Sequence, residues 1–560
     1  MPTTLRGATA VVLTALLLAG IVEAQTARES APATDGSLPL YLQALALLRT
    51  SDSVIPPTLD VHPVSATYNR EAVIPPQCYT RTEGVHNPCY VCHQNQRAGG
   101  ENTMNDADLQ VAYTFSDVGT TNHWLNLFEN RSTRVAAMGD EEILAWIDGD
   151  NYSELPGRLE AAGFGGYVPD LAGLEQGAAA FDADGFARDG SGWVAFNYKP
   201  LPSTFWPTNG STDDVMIRLP DAFRRTANGT LSRDAYRANL AILEANVKGL
   251  ATIDTRPIDE TVLDVDVDGD GALGMATRIA RISSFVGAAS EHLLLPPLYP
   301  QGTEFLHTVR YVGIRADGTV GISRRMKEVR YMRKSSIMPL AQLAELYREE
   351  QYAKEAGYLP GYINRWQQGL DNEMGWLVQG FIEDRNGRLR VQTYEETLFC
   401  MGCHTSLGAT IDKTFAFPRK VDGAAGWGYI ELHGMPDAPN VGETLGEIAT
   451  YLERVGGGSE FRNNDEMLAR WFAADGTLDR AKVAAADVHE LISPSRERAL
   501  ALNKAYRTIV ADQDYVFGRD AVIVPPRNVY DEVDPETAPT LGADRFFEWD
   551  IRLDWGAAHR

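Results

Sequence analysis

Residues 305–332 read "FLHTVRYVGIRADGTVGISRRMKEVRYM", two stretches of alternating apolar and polar residues on either side of Ala316-Asp317-Gly318. A period of two interrupted by an Asp-Gly turn predicts a β-hairpin. Residues 376–394, "WLVQGFIEDRNGRLRVQTY", repeat the design around Asn386-Gly387 and lead directly towards Cys400. Upstream, "RDAYRANLAILEANVKGL" at 233–250 has helical spacing. The middle of the chain, 151–394, is therefore predicted to be a mixed α/β region with β-hairpins.

Outward from this region lie two pentapeptides of one pattern, "CYVCH" at 89–93 and "CMGCH" at 400–404. Two thiols three positions apart can each add to a vinyl group of haem, and the following imidazole then meets the iron. Cys89, Cys92 and His93 form one set, and Cys400, Cys403 and His404 the other. Tetrahedral zinc would want the two Cys pairs some 15–20 residues apart; here about three hundred residues intervene. A thioredoxin-like exchange pair needs no histidine after its second cysteine. With 10 histidines in 560 residues, chance puts one after both pairs about once in 3,000. The pattern predicts two covalently bound haem c groups.

Helical spacing in "NHWLNLFENRSTRVAAMGDEEILAWIDGDNY" at 122–152, and in "LGEIATYLERV" after the second pentapeptide, suggests mainly helical haem modules. The expected fold class is mixed α+β and multidomain, with such modules flanking the mixed middle region. The expected divisions are a signal peptide over 1–24 and an N-terminal leader and helix over 25–70, then the first haem module over 71–150. The mixed region over 151–394, the second module over 395–456 and a C-terminal helical segment over 457–560 complete the chain.

From Glu395 to Val455 the chain carries Cys-x-x-Cys-His, then Met435-Pro436, then Ala449-Thr450-Tyr451-Leu452. This stretch of about 60 residues resembles class I cytochrome c. The resemblance implies Met435 as sixth ligand of the second haem, closing the iron and raising its potential. His433 is the substitute two residues away. For the first haem, Met104, His123, Met138 and Cys78 are all candidates. Cys78 has two further readings, an intermolecular disulfide or a buried, inert thiol. In having two such sites the whole chain is also loosely similar to the dihaem cytochrome c peroxidases. It departs from them in the longer interval between sites, and no distal catalytic residues match.

"DVDVDGDGALG" at 264–274 places Asp264, Asp266, Asp268 and Asp270 at alternate positions before a glycine turn, the start of a calcium loop. Position twelve, counted from Asp266, is Thr277 rather than glutamate, so a calcium ion there is expected to be weakly held and structural.

An apolar run "ATAVVLTALLLAG" behind Arg6, with small residues before Gln25, predicts a secretory signal peptide cut near Ala24 and delivery to the periplasm. No cysteine stands at the cut to take a lipid, and no later segment is long and apolar enough to span a bilayer. A net charge of −25 argues against nucleic acid and leaves room for a basic redox partner protein. The expected function is an exported dihaem c-type cytochrome passing single electrons. The alternative is a dihaem oxidoreductase, with peroxidase-like, oxygen or sulfur chemistry at the first haem.

Overall fold

The computed structural model describes residues 70–558 except 82–85, 87, 97–101, 112–114, 116–118, 203–208, 281–282, 458–460, 462, 535 and 539. The signal peptide and the leader helix lie outside the described residues. Ten strands are formed among the described residues: β1 (Val194–Ala195), β2 (Thr212–Arg218), β3 (Thr252–Asp259), β4 (Met275–Ala280), β5 (Glu304–Ile314), β6 (Val320–Lys334), β7 (Ile363–Asn364), β8 (Leu370–Asp371), β9 (Trp376–Glu383) and β10 (Leu389–Val391).

Both predicted hairpins are present. β5 pairs antiparallel with β6 across the Asp317-Gly318 turn, and β9 pairs antiparallel with β10 across Asn386-Gly387. They join one antiparallel sheet in the order β1-β2-β5-β6-β9-β8-β7, with β10 also on β9. β3 and β4 form a separate two-stranded sheet. The predicted helix spans Arg233–Lys248, capped by the Ser232 hydroxyl, which accepts from Ala235 N, and stopped by Gly249 at φ 66°.

Strand alternation gives the large sheet two unlike faces. Val215 on β2 stands opposite His307 on β5, and His307 opposite Arg330 on β6. In the next row Phe305 stands opposite Met332, and Met332 opposite Val378 on β9. These residues line one cleft together with Cys400, Cys403 and His404. The other face buries Met216, Leu306, Val329 and Phe381 against Tyr152, Leu155 and Leu159.

The segments around the pentapeptides are not the helical modules expected. Among the described residues from Arg70 to Phe128 the helical pieces are 3-10 turns, and the helices that follow, Ser132–Ala137 and Asp140–Asp148, are six and nine residues long. Around the second pentapeptide the helices Tyr394–Thr397 and Ala416–Arg419 have four residues each, before the nine-residue helix Glu447–Val455. Only 34% of the structure is helical, so the fold is mixed α/β built on a large antiparallel sheet. The cause is where the apolar side chains go. Pro75, Pro76 and Pro88 interrupt any helix before the first pentapeptide. The large aromatics are spent on partners distant in the chain rather than on a helix seam. The Trp124 ring meets Phe399 edge-on at 5.5 Å, and Trp549 Nε1 donates to the Tyr90 carbonyl at 2.8 Å.

Buried ion pairs fasten the loops to the sheet. Glu447, at the start of the last helix of the second segment, takes both Nη atoms of Arg419 at 2.8 and 2.6 Å, and Lys199 Nζ lies 3.1 Å away. Glu328 on β6 accepts from Arg330 at 2.9 Å, from Arg519 at 2.8 Å and from Gln392 at 2.9 Å. Burial pushes the Glu328 carboxyl up, but the Arg330 and Arg519 guanidiniums outweigh it and hold it at about 2.

Two outcomes follow from these pairs. Glu447→Ala leaves two buried cations short of their partner and should cost about 3–5 kcal/mol in denaturant unfolding. Glu328 is depressed in the folded state, so its stabilisation is complete above its unfolded pKa and is lost as pH falls towards about 2. In Glu328→Gln the loss of unfolding free energy between about pH 5 and about pH 3 should be shallower by about 2 kcal/mol, read from urea titrations at each pH.

Candidate functional site: two Cys-x-x-Cys-His turns beside one sheet

The two pentapeptides adopt one local structure. In the first, the Cys89 carbonyl accepts from Cys92 N at 3.1 Å and His93 N at 2.9 Å. In the second, the Cys400 carbonyl accepts from Cys403 N at 3.1 Å and His404 N at 2.9 Å. Each is a single turn of 3-10 helix that brings both cysteines and the histidine together.

Far apart in sequence, the turns are neighbours in the fold. Ala409 N donates to the Cys92 carbonyl at 2.9 Å. Gly408 makes the approach feasible, because a Cβ there would lie 2.0 Å from both the Gln94 carbonyl and Asp106 Oδ1. Cys92 lies close enough to Cys403 and Cys78 for each to disfavour its ionisation.

In both histidines Nδ1 is engaged. His93 Nδ1 lies 2.9 Å from Asp106 Oδ2, and Asp106 is fixed by Gln94 N at 2.6 Å. His404 Nδ1 lies 2.8 Å from the Lys413 carbonyl. That carbonyl is aimed by two left-handed residues in succession, Asp412 at φ 50° and Lys413 at φ 65°. The turn is held because buried Lys334, the last residue of β6, pairs with Asp412, whose other oxygen accepts from Tyr299 N at 2.9 Å.

The two imidazoles differ in charge. Burial alone lowers the His93 pKa, but the Asp106 carboxylate outweighs it and holds the ring at about 9. Burial drives His404 down to about 4, the nearby Arg330 and His307 adding to the effect, so this ring is neutral.

The thiols fit attachment better than exchange or zinc. No disulfide joins any of the five cysteines. Burial pushes Cys403 up to about 12 and Cys92 well above its ordinary value, the reverse of an exchange cysteine. Among the described residues, no three Cys or His ligand atoms lie within 4.8 Å of one another, as zinc would require. The cleft at Cys400, Cys403 and His404 has the lining a haem needs. It carries aromatic walls from Phe196, Phe399 and Phe415 and the sheet residues Phe305 and Met332.

Met435 does not line that cleft. Its side chain is buried in the main core, its carbonyl accepts from Val488 N at 2.8 Å, and Asp437 just beyond caps the helix by accepting from Ile448 N and Ala449 N at 2.9 and 3.0 Å. His433 stacks on His489 at 3.7 Å instead. Of the candidates for the first haem, Cys78 hydrogen-bonds the His93 ring. Met104 packs with Leu298, Leu343 and Met374, Met138 packs beside Ile143 and Tyr506, and His123 is buried. Residues that line or support the site without a motif to mark them are Asp106, Asp213, His307, Arg330 and Lys413. A histidine at an inward position of "FLHTV" was the one readable signal among them.

In the acidic loop, carboxylate oxygens of Asp266, Asp268 and buried Glu260 come within 4.8 Å of one another, and Asp264 and Asp270 fall outside the group. The loop is shaped by its own amides. Asp266 accepts from Gly269 N and Gly271 N at 2.6 and 2.8 Å, and Glu260 from Val267 N and Gly274 N at 2.7 and 2.9 Å.

Among the described residues no helix is long and apolar enough to cross a membrane. A family model described as "-like lipoprotein" matches residues 61–489. An "Uncharacterized lipoprotein" of Aquifex aeolicus (strain VF5) is 33% identical over 520 residues, covering 81% of this chain and 86% of that protein. No solved structure matches. The descriptors suggested by the sequence (cytochrome c, haem, iron, electron transport, oxidoreductase, calcium) are corrected on this point, since the family and the relative carry the word lipoprotein and no functional term. The chain belongs to this lipoprotein family.

Proposed function

We propose that this protein is exported to the periplasm, holds two covalently attached haem c groups and passes single electrons between them and a partner protein. One observation carries the reading: both Cys-x-x-Cys-His turns have the same backbone hydrogen bonds, and both histidines have Nδ1 engaged, the orienting contact that an iron-binding imidazole uses.

Cys89 and Cys92 would hold one group and Cys400 and Cys403 the other through thioethers, and His93 and His404 would supply imidazoles to the iron. Haem supplies a one-electron couple shielded from bulk water. The chain's own residues set its character. Asp106 draws on the His93 Nδ1 proton and makes that imidazole a stronger donor, whereas the Lys413 carbonyl makes a milder demand on His404. The two centres are therefore unequal, the first favouring the oxidised state more. Their adjacency, through Ala409 N and the Cys92 carbonyl, suits transfer between them. The net charge of −25 suits docking on a basic partner.

A pyridine haemochrome assay on the exported protein should return two c-type haems per chain, and zero would end the reading. In Asp106→Asn the count should stay at two while one potential rises. Each tenfold relative weakening of the ferric bond is worth about 59 mV, and a rise of that order is expected in a potentiometric titration.

A further inference from the structure

We propose that His307 is the sixth iron ligand at the second pentapeptide. The proposal rests on the haem reading above and supplies a ligand that the sequence motif does not mark.

The argument is one of placement. The cleft has Cys400, Cys403 and His404 on one side and the sheet face on the other, and His307 stands on that face between Val215 and Arg330. The two lining histidines are His404 and His307. His307 sits on β5, flanked by β2 and β6 within the sheet, so its backbone cannot drift. Asp213 on β2 lies with its Oδ2 3.3 Å from His307 Nε2 and is itself buried. Met435 has no access to this cleft, its thioether being used as core packing. Two imidazoles in place of an imidazole and a thioether remove the rise in potential that methionine would give.

The test uses the full exported chain carrying haem, with His307→Ala, His307→Met and Met435→Ala compared with the parent. Haem count by pyridine haemochrome comes first. No haem in the parent defeats the haem reading itself, before the ligand is at issue. With two haems present, His307→Ala should convert one haem from low to high spin by electron paramagnetic resonance. It should also bind one more equivalent of carbon monoxide when reduced than the parent does, and return to low spin when imidazole is added. Met435→Ala should leave the spectra unchanged. His307→Met, which keeps a ligand and fills the space, should stay low spin with one potential raised. The ligand assignment is overturned if the second haem stays low spin in His307→Ala, if the parent's second haem already binds carbon monoxide, if Met435→Ala is the variant that turns high spin, or if His307→Met leaves both potentials where they were.

Discussion

A sheet face that carries Phe305, His307, Arg330 and Met332 in adjacent rows has to be covered, and what covers it determines the rest of this molecule. The cover is the chain that leaves β10, turns through Cys400 to His404 and returns through Phe415 to Arg419. It is tied to β6 by buried charge at Lys334 on Asp412, and at its start by Gln392 Nε2, which donates to Glu328 on the same strand. Pairs of this kind gain little over an apolar core of equal volume, but leaving one partner alone is costly, so they fix where the loop lies. Once the loop lies there, Gly408 and Ala409 present a bare stretch of backbone on which the first pentapeptide docks through Cys92, Gln94 and Asp106.

The same arrangement makes the two sites unequal. Asp106 gives His93 a charged acceptor, and Lys413 gives His404 a neutral carbonyl aimed by two left-handed residues. Backbone strain of that order, about 1–3 kcal/mol for each residue in a sparsely populated conformation, persists only where the surroundings enforce it. Here the Lys334–Asp412 pair and Tyr299 N enforce it. The second site is the one with a cleft walled by aromatic and aliphatic side chains. The sequence reading had placed open chemistry at the first site instead.

Much of the architecture was legible where periodicity was strong and local. Both hairpins and the Arg233–Lys248 helix sit where alternation, turn residues and capping put them. The pentapeptides were legible as chemistry because their spacing is local too. What was not legible depended on contacts between residues far apart. The helical modules did not form because Trp124 and Trp549 find partners hundreds of residues away, which no window of sequence displays. Met435 followed a family pattern, yet Asp437 is spent on capping the Glu447–Val455 helix and Met435 on the core. His307 was hidden in plain alternation, since a polar residue in a strand is indistinguishable from a solvent-facing one until the loop covering it is known. Glu260 was missed for a similar reason, standing before the acidic repeat but folding back onto its amides.

Intact-protein mass spectrometry of the exported chain under denaturing conditions tests most directly whether both turns carry covalent haem. The account gives a mass equal to the processed chain plus two haems, surviving denaturant because each is held by thioethers at Cys89 and Cys92 or at Cys400 and Cys403. A chain at its bare processed mass, from cells competent in haem attachment, would contradict it.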